Sequence, residues 1–137
     1  YETIFIFVIY NFMNNVNVLD RIQIIWDIKN IDEPTKSSIV EYVEHGFWKI
    51  DSYLKTVLSK TDESIILKVY LEKKGTDDYI GSFNFKFPGI LDDFTVDIDE
   101  DTPEKWIIQV ITALFDKGKN VLQKKVEKLH DNPHNKA

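Results

Sequence analysis

Between Thr35 and Leu58 the apolar residues Ile39, Val43, Phe47, Ile50, Leu54 and Val57 recur at steps of three and four, the spacing of one helical face. The pattern predicts a single long amphipathic helix. Gly46 falls inside its apolar stripe, where a missing side chain would let another backbone come close. Phe47 and Trp48 add large apolar area, so the helix is expected to anchor the core. Tyr42, His45, Lys49 and Tyr53 lie along one flank, and Glu41, Glu44, Asp51 and Lys55 fall on an opposite face that reads as solvated. Thr35 or Ser37 is placed to cap the first turn.

On both sides of this helix the period changes to two, the signature of half-buried strands. Ile22, Ile24, Trp26 and Ile28 alternate with Gln23, Ile25, Asp27 and Lys29. Ile65, Leu67, Val69 and Leu71 define a second strand, and Tyr79, Gly81, Phe83, Phe85 and Phe87 a third. Phe94, Val96 and Ile98 point inward from a fourth, whose surroundings are the most acidic in the chain. Thr102, Pro103 and Glu104 then read as the start of a last helix: a capping hydroxyl, a proline at the first helical position and an acid in the first turn. Its apolar face, Ile107, Val110, Ile111, Leu114, Leu122 and Leu129 with Gly118 among them, carries it to about His130.

The order is β-α-β-β-β-α. It predicts an α+β fold, a two-layer sandwich in which a four-stranded mixed sheet carries both helices on one face. The first helix serves as a right-handed crossover between parallel neighbours, and the short turns make the last three strands an antiparallel meander. The domain is expected over residues 21–131, after an N-terminal extension of residues 1–20 and before a disordered tail, 132–137. Within the extension, the apolar run from Ile4 to Tyr10 is too short for a transmembrane helix, which needs about 20 residues. It lacks the basic start and small-residue cleavage site of a secretory signal. It reads either as an extra edge strand or as sequence upstream of a true start at Met13, and the second reading is preferred.

Composition narrows the function classes. The chain has 137 residues, a formal net charge of −6 and no cysteine, with a pI near 5.0. Disulfides and thiolate metal sites are excluded, and three scattered histidines without ligand spacing give no zinc or haem site. A reducing, cytoplasmic setting is permitted. Net acidity argues against generic nucleic-acid binding, DNA included, because affinity for phosphate comes from clustered Lys and Arg. Any RNA contact must rest on a local patch.

The segments IQIIWDIKNID before the first helix, YVEHGFWKIDSYL within it, the FPG turn after the third strand and DTPEKWIIQVITALFDKGKNVLQKK at the end resemble the ribosome hibernation-promoting factors. That family is also known as ribosome-associated inhibitors or sigma-54 modulation proteins. Tyr42, Val43, Glu44, Lys49, Ile50, Asp51 and Tyr53 fall in register with its YVE step and the K-L-acid-x-Y step that follows. The resemblance covers Arg21 to Leu129, in the family's order and spacing, and is to the short type, the chain ending where a long type would enter its linker. It implies binding in the decoding channel of the small ribosomal subunit, with both helices toward rRNA, obstructing mRNA and tRNA. The departures thin the basic face: His45 and Gly46 stand where the family has two basic residues, Ser52 where it often has Arg, and Gly118 and Asn120 where it has a core leucine and an arginine.

A basic patch nevertheless survives. Lys117, Lys124 and Lys128 share a helical flank, with Lys119 and Lys125 nearby, and residues 116–129 hold five lysines against two carboxylates, a local charge of +3. Through the resemblance, the expected rRNA contacts are these five lysines with Lys49, His45, Tyr42 and Tyr53. Without it, the lysines read equally as a solvated helix face. Tyr42 and Tyr53 can stack on bases, though border positions favour a packed ring with a wet hydroxyl. Asp92, Asp93, Asp97, Asp99, Glu100 and Asp101 lack the spacing of a calcium loop and read as a charged edge that discourages aggregation. No phosphate loop or nucleophile elbow is present, so neither catalysis nor a cofactor is expected. The expectation is a cytoplasmic translation inhibitor, a monomer away from the small subunit and without a membrane or DNA partner. The alternative is a diverged protein-interaction module that kept the fold and lost the ribosome.

Overall fold

The computed structural model describes residues 18–76, 78–87, 89–99 and 103–131. The Ile4–Tyr10 run, Met13, Thr102 and the residues from 132 onward lie outside them. A 3₁₀ turn, Leu19–Arg21, leads into β1 (Ile22–Lys29). There follow α1 (Glu33–Gly46), a second 3₁₀ turn (Phe47–Lys49), α2 (Asp51–Leu58), β2 (Ile65–Lys74), β3 (Asp78–Lys86), β4 (Phe94–Ile98) and α3 (Ile107–Asp131).

The two-residue alternation builds one four-stranded sheet in the order β1-β2-β3-β4. β1 and β2 are parallel, from Ile22 opposite Ile65 to Lys29 opposite Glu72, because the helical segment between them returns the chain to the same end of the sheet. β2 and β3 form an antiparallel hairpin that ends on Lys74 opposite Asp78, and β4 pairs antiparallel with β3 from Gly81 to Phe85. All helices cover one face, so the sandwich is the α+β arrangement predicted. Its interior holds Ile65, Leu67, Val69 and Leu71 from β2, Phe83 and Phe85 from β3, and Val110, Leu114, Phe115 and Leu122 from α3. Each such side chain contributes roughly 1.5–3 kcal/mol on burial.

The structure corrects the helix boundaries. The predicted helix over 35–58 is two helices joined by the turn at Phe47–Lys49, where the Ile50 amide donates to the Phe47 carbonyl at 3.0 Å and Ile50 leaves the helical basin (φ −119°, ψ 3°). A 3₁₀ turn eclipses residues three apart. It therefore turns Phe47 and Ile50 together into the core, where both are buried, and leaves Trp48 70% exposed. Trp48 is thus a surface residue, not part of the anchor. α1 also starts earlier than predicted, with Asp32, not Thr35 or Ser37, at the N-cap position and Pro34 in the first turn.

The last helix begins later, at Ile107. β4 covers β3 only as far as Gly81, which leaves the backbone of Tyr79 open on that side. Glu104 fills the gap: its amide donates to the Tyr79 carbonyl at 3.0 Å and its carbonyl accepts from the Tyr79 amide at 2.8 Å. Satisfying two backbone groups in this way outweighs the helix-start signal in the local sequence. At the other end, Val18 and Leu19 are buried in the core, so packing begins ahead of the expected boundary at Arg21. The Arg21 guanidinium fastens this entry, donating to the carbonyls of Leu58, Thr61 and Glu63.

Candidate functional site

α1 and α3 lie side by side because Gly46 has no side chain. A Cβ there would stand 2.2 Å from the Phe115 ring, and the ring fills that space, packed edge-on against Phe47 and Phe83. What comes close at Gly46 is a side chain, not the backbone expected. Beside this point a cavity of about 300 Å³ opens between the helices, lined by Tyr42, His45, Trp48 and Lys49 on one side and by Ile108, Thr112 and Phe115 on the other. Tyr42 also borders a second cavity, of about 370 Å³, that reaches Trp106 and Lys105. Together they make a shallow trough along the helical face, apolar at the first cavity and mixed at the second, where Thr35, Ser38 and Lys105 contribute.

The sequence-predicted site residues divide among several places. Tyr42, His45 and Lys49 gather at the trough, and the Lys49 ammonium pairs with the Asp116 carboxylate at 3.0 Å. Tyr53, on α2, is half-buried against the core. Lys117 donates to the Asp97 carbonyl at 2.8 Å, so its flank of α3 faces β4. Lys125 lies 5.9 Å from the centre of the Phe94 ring, within the range of a cation–π interaction. Lys124 and Lys128 follow Lys117 at helical spacing, whereas Lys119, two residues on, is about 200° round the helix. Lys124 and Lys128 are exposed and Lys119 is half-exposed.

Trp106 and Ile108, 66% and 47% exposed, join Trp48 on the helical face, and the sequence pattern singles out neither. Ile108 lies off the core stripe of α3. Trp106 falls in a helical turn that the sequence predicts and that does not form. For Trp48 a signal is present: adjacent residues on a helix stand about 100° apart, so of Phe47 and Trp48 only Phe47 falls on the apolar stripe.

Glu44 departs from its expected role as a solvated acid. It is half-buried, and desolvation raises its carboxyl to about 7 from the ordinary 4.5. The folded protein therefore favours the protonated form, and this contribution to stability is complete below pH 4.5 and lost as the pH rises through 7. Glu44→Gln is expected to be as stable as the parent near pH 5 and more stable at pH 8, by about 1 kcal/mol once water screening of a part-exposed group is allowed for. Urea midpoints of the two proteins across that range check this, and a difference that stays constant with pH would contradict it. The other large shift, Tyr70 raised to about 12 by its hydrogen bond to Glu72, lies on the open face of the sheet, away from the trough.

Among the described residues no group of three or more His, Asp or Glu side chains is placed to hold a metal ion, and no helix is long and apolar enough to cross a membrane. No family model and no curated protein matches the sequence. Among solved structures, the N-terminal domain of Protein Y from Thermus thermophilus superposes with a TM-score of 0.55, over 74% of this chain and 97% of that domain. This chain has the fold of that domain. At 18% identity the likeness to the Protein Y domain is one of architecture: the four-stranded mixed sheet and the helices stacked on one side of it.

Proposed function

We propose that this chain is a ribosome-binding translation inhibitor of the hibernation type, which occupies the decoding channel of the small subunit and blocks mRNA and tRNA by steric occlusion. The observation that carries the proposal is the pairing of α1 and α3 on one face, with the lysine-rich second half of α3 beside them. This is the arrangement that the sequence resemblance calls for, and the likeness to the Protein Y domain supports it independently. Such a protein works in the cytoplasm as an obstacle, with rRNA as its partner and no cofactor. Its carboxylates need not repel the RNA, because at about 0.15 M salt each charged patch is screened beyond roughly 8 Å.

A second reading, a protein-interaction module of the same fold, is favoured by the apolar cavity between α1 and α3. Co-sedimentation with purified small subunits at low and high salt separates the two. The inhibitor is expected to pellet with subunits at low salt and to be released as salt rises, since lysine–phosphate pairs exchange for counterions. Failure to pellet at low salt would leave the interaction module as the function.

A further inference from the structure

We infer that the outer edge of β1 is the docking site of the chain's own segment Ile4–Tyr10, which joins the sheet there as a fifth, antiparallel strand. β1 comes first in the order β1-β2-β3-β4, so one side of its backbone has no strand beside it among the described residues. The sheet is also incompletely covered at this margin. Ile24, Trp26 and Ile28, on the helical face, are only half-buried, whereas the residues opposite them on β2, Leu67, Val69 and Leu71, are fully buried. On the other face Ile25 is 40% exposed. The indole N–H of Trp26 is buried and meets no acceptor among the described residues, although buried donors are as a rule paired. A strand laid along β1 brings oxygens to that margin.

The two edges of the sheet are guarded differently. β4 has five residues, with Asp97 inside it and Asp99 next to its end, the short, charged form that discourages further pairing. β1 has eight residues, and its run Ile24, Ile25, Trp26 carries no charge, so this edge invites another strand. Ile4–Tyr10 suits it in length, and all seven of its residues are β-branched or aromatic. Connectivity selects this occupant over a second copy. Val18 and Leu19 are buried at the start of β1, and Arg21 fastens them there. Residues 11–17 therefore tether the segment beside the edge, at an effective concentration on the order of millimolar. That tether closes an antiparallel hairpin readily. A parallel strand would require it to run back along β1, about 23 Å for seven steps of ~3.3 Å, which draws the tether almost straight. Of the two readings that the sequence leaves for the segment, this is the edge strand.

The test uses the full chain and no ribosome, so it stands or falls separately from the inhibitor reading. The chain has no cysteine, so introduced pairs report contact without interference. Ile25→Cys is combined in turn with a cysteine at each position from 4 to 10, and each variant is mildly oxidised. Directly opposed residues of an antiparallel pair have Cβ atoms about 4.5–5.5 Å apart, close to disulfide reach. Because successive side chains face opposite sides of a strand, bridges within one chain are expected in one row only, either Ile4, Ile6, Val8 and Tyr10 or Phe5, Phe7 and Ile9. Hydrogen exchange gives a second readout. The β1 amides that point away from β2 should be protected in the parent and lose that protection when Phe7→Pro and Val8→Pro are combined, which removes an inward N–H whichever way the segment faces; the β2 amides should stay protected. The inference is overturned if no intrachain bridge forms, if bridges form equally at all seven positions, or if the outward β1 amides exchange alike in parent and proline variant. A bridge that joins two chains also overturns it and gives the edge to a second copy.

Discussion

Phe115→Ala is expected to destabilise the protein by about 3–5 kcal/mol and to reverse the sign of a second substitution, Gly46→Ala. The Phe115 ring is buried and stands edge-on to Phe47 at 5.5 Å and to Phe83 at 4.9 Å between centroids. It joins α1, α3 and the sheet at one point. In the parent, Gly46→Ala sets a methyl group 2.2 Å from this ring, and a ring held on both sides cannot swing away. Alanine ordinarily gains up to about 1 kcal/mol over glycine within a helix, but overpacking of a full core costs typically about 1–3 kcal/mol, so the net effect is a loss. Once Phe115 is alanine, the methyl group enters the vacated space and the helical preference prevails. Gly118→Ala provides the comparison: its methyl group would meet the Phe85 ring at 3.4 Å, an ordinary van der Waals separation, so that variant should gain stability outright. Urea unfolding of the four proteins in the Gly46/Phe115 cycle measures the coupling, and additive effects would show that the ring moves freely.

The strands are legible because alternation is a local signal that survives into the fold. Leu67, Val69, Phe83 and Phe85 point inward by pattern, and all four are buried. The helix ends are not legible, because they are decided by distant partners. Nothing near Glu104 in sequence announces that Tyr79 has an open backbone edge, and nothing near Phe47 shows that the helix breaks there into a 3₁₀ turn. Phe115 escapes for a related reason: it lies at one margin of the apolar stripe on α3 and is central only because Gly46 admits it. The same separation limits the site. Helical spacing places Lys117, Lys124 and Lys128 on one flank, but the Asp97 carbonyl that engages Lys117 lies on β4, and no spacing rule within α3 reveals it.

That engagement sharpens what the inhibitor reading predicts for the lysines. Lys117 holds a strand carbonyl and Lys125 lies by the Phe94 ring, so replacing either disturbs the fold as well as any RNA binding. Lys124 and Lys128 form no hydrogen bond or ion pair with another described residue, so their ammonium groups are available to phosphate. Each lysine–phosphate pair removed should lower the slope of log K against log salt by roughly 0.7–0.9. Lys124→Ala with Lys128→Ala should therefore flatten the slope for small-subunit binding by about 1.5 and weaken binding by about tenfold or more at about 0.1 M salt. Asp97→Asn with Asp99→Asn should leave both nearly unchanged, because Asp97, on the edge strand β4, and Asp99, just beyond it, are exposed carboxylates that add no cation for phosphate to pair with. Pelleting the double-lysine variant with small subunits across a salt series gives the slope directly. Equal slopes for parent and variant, with both proteins folded, would remove α3 from the RNA interface and with it the reading of this face as the part that blocks the channel.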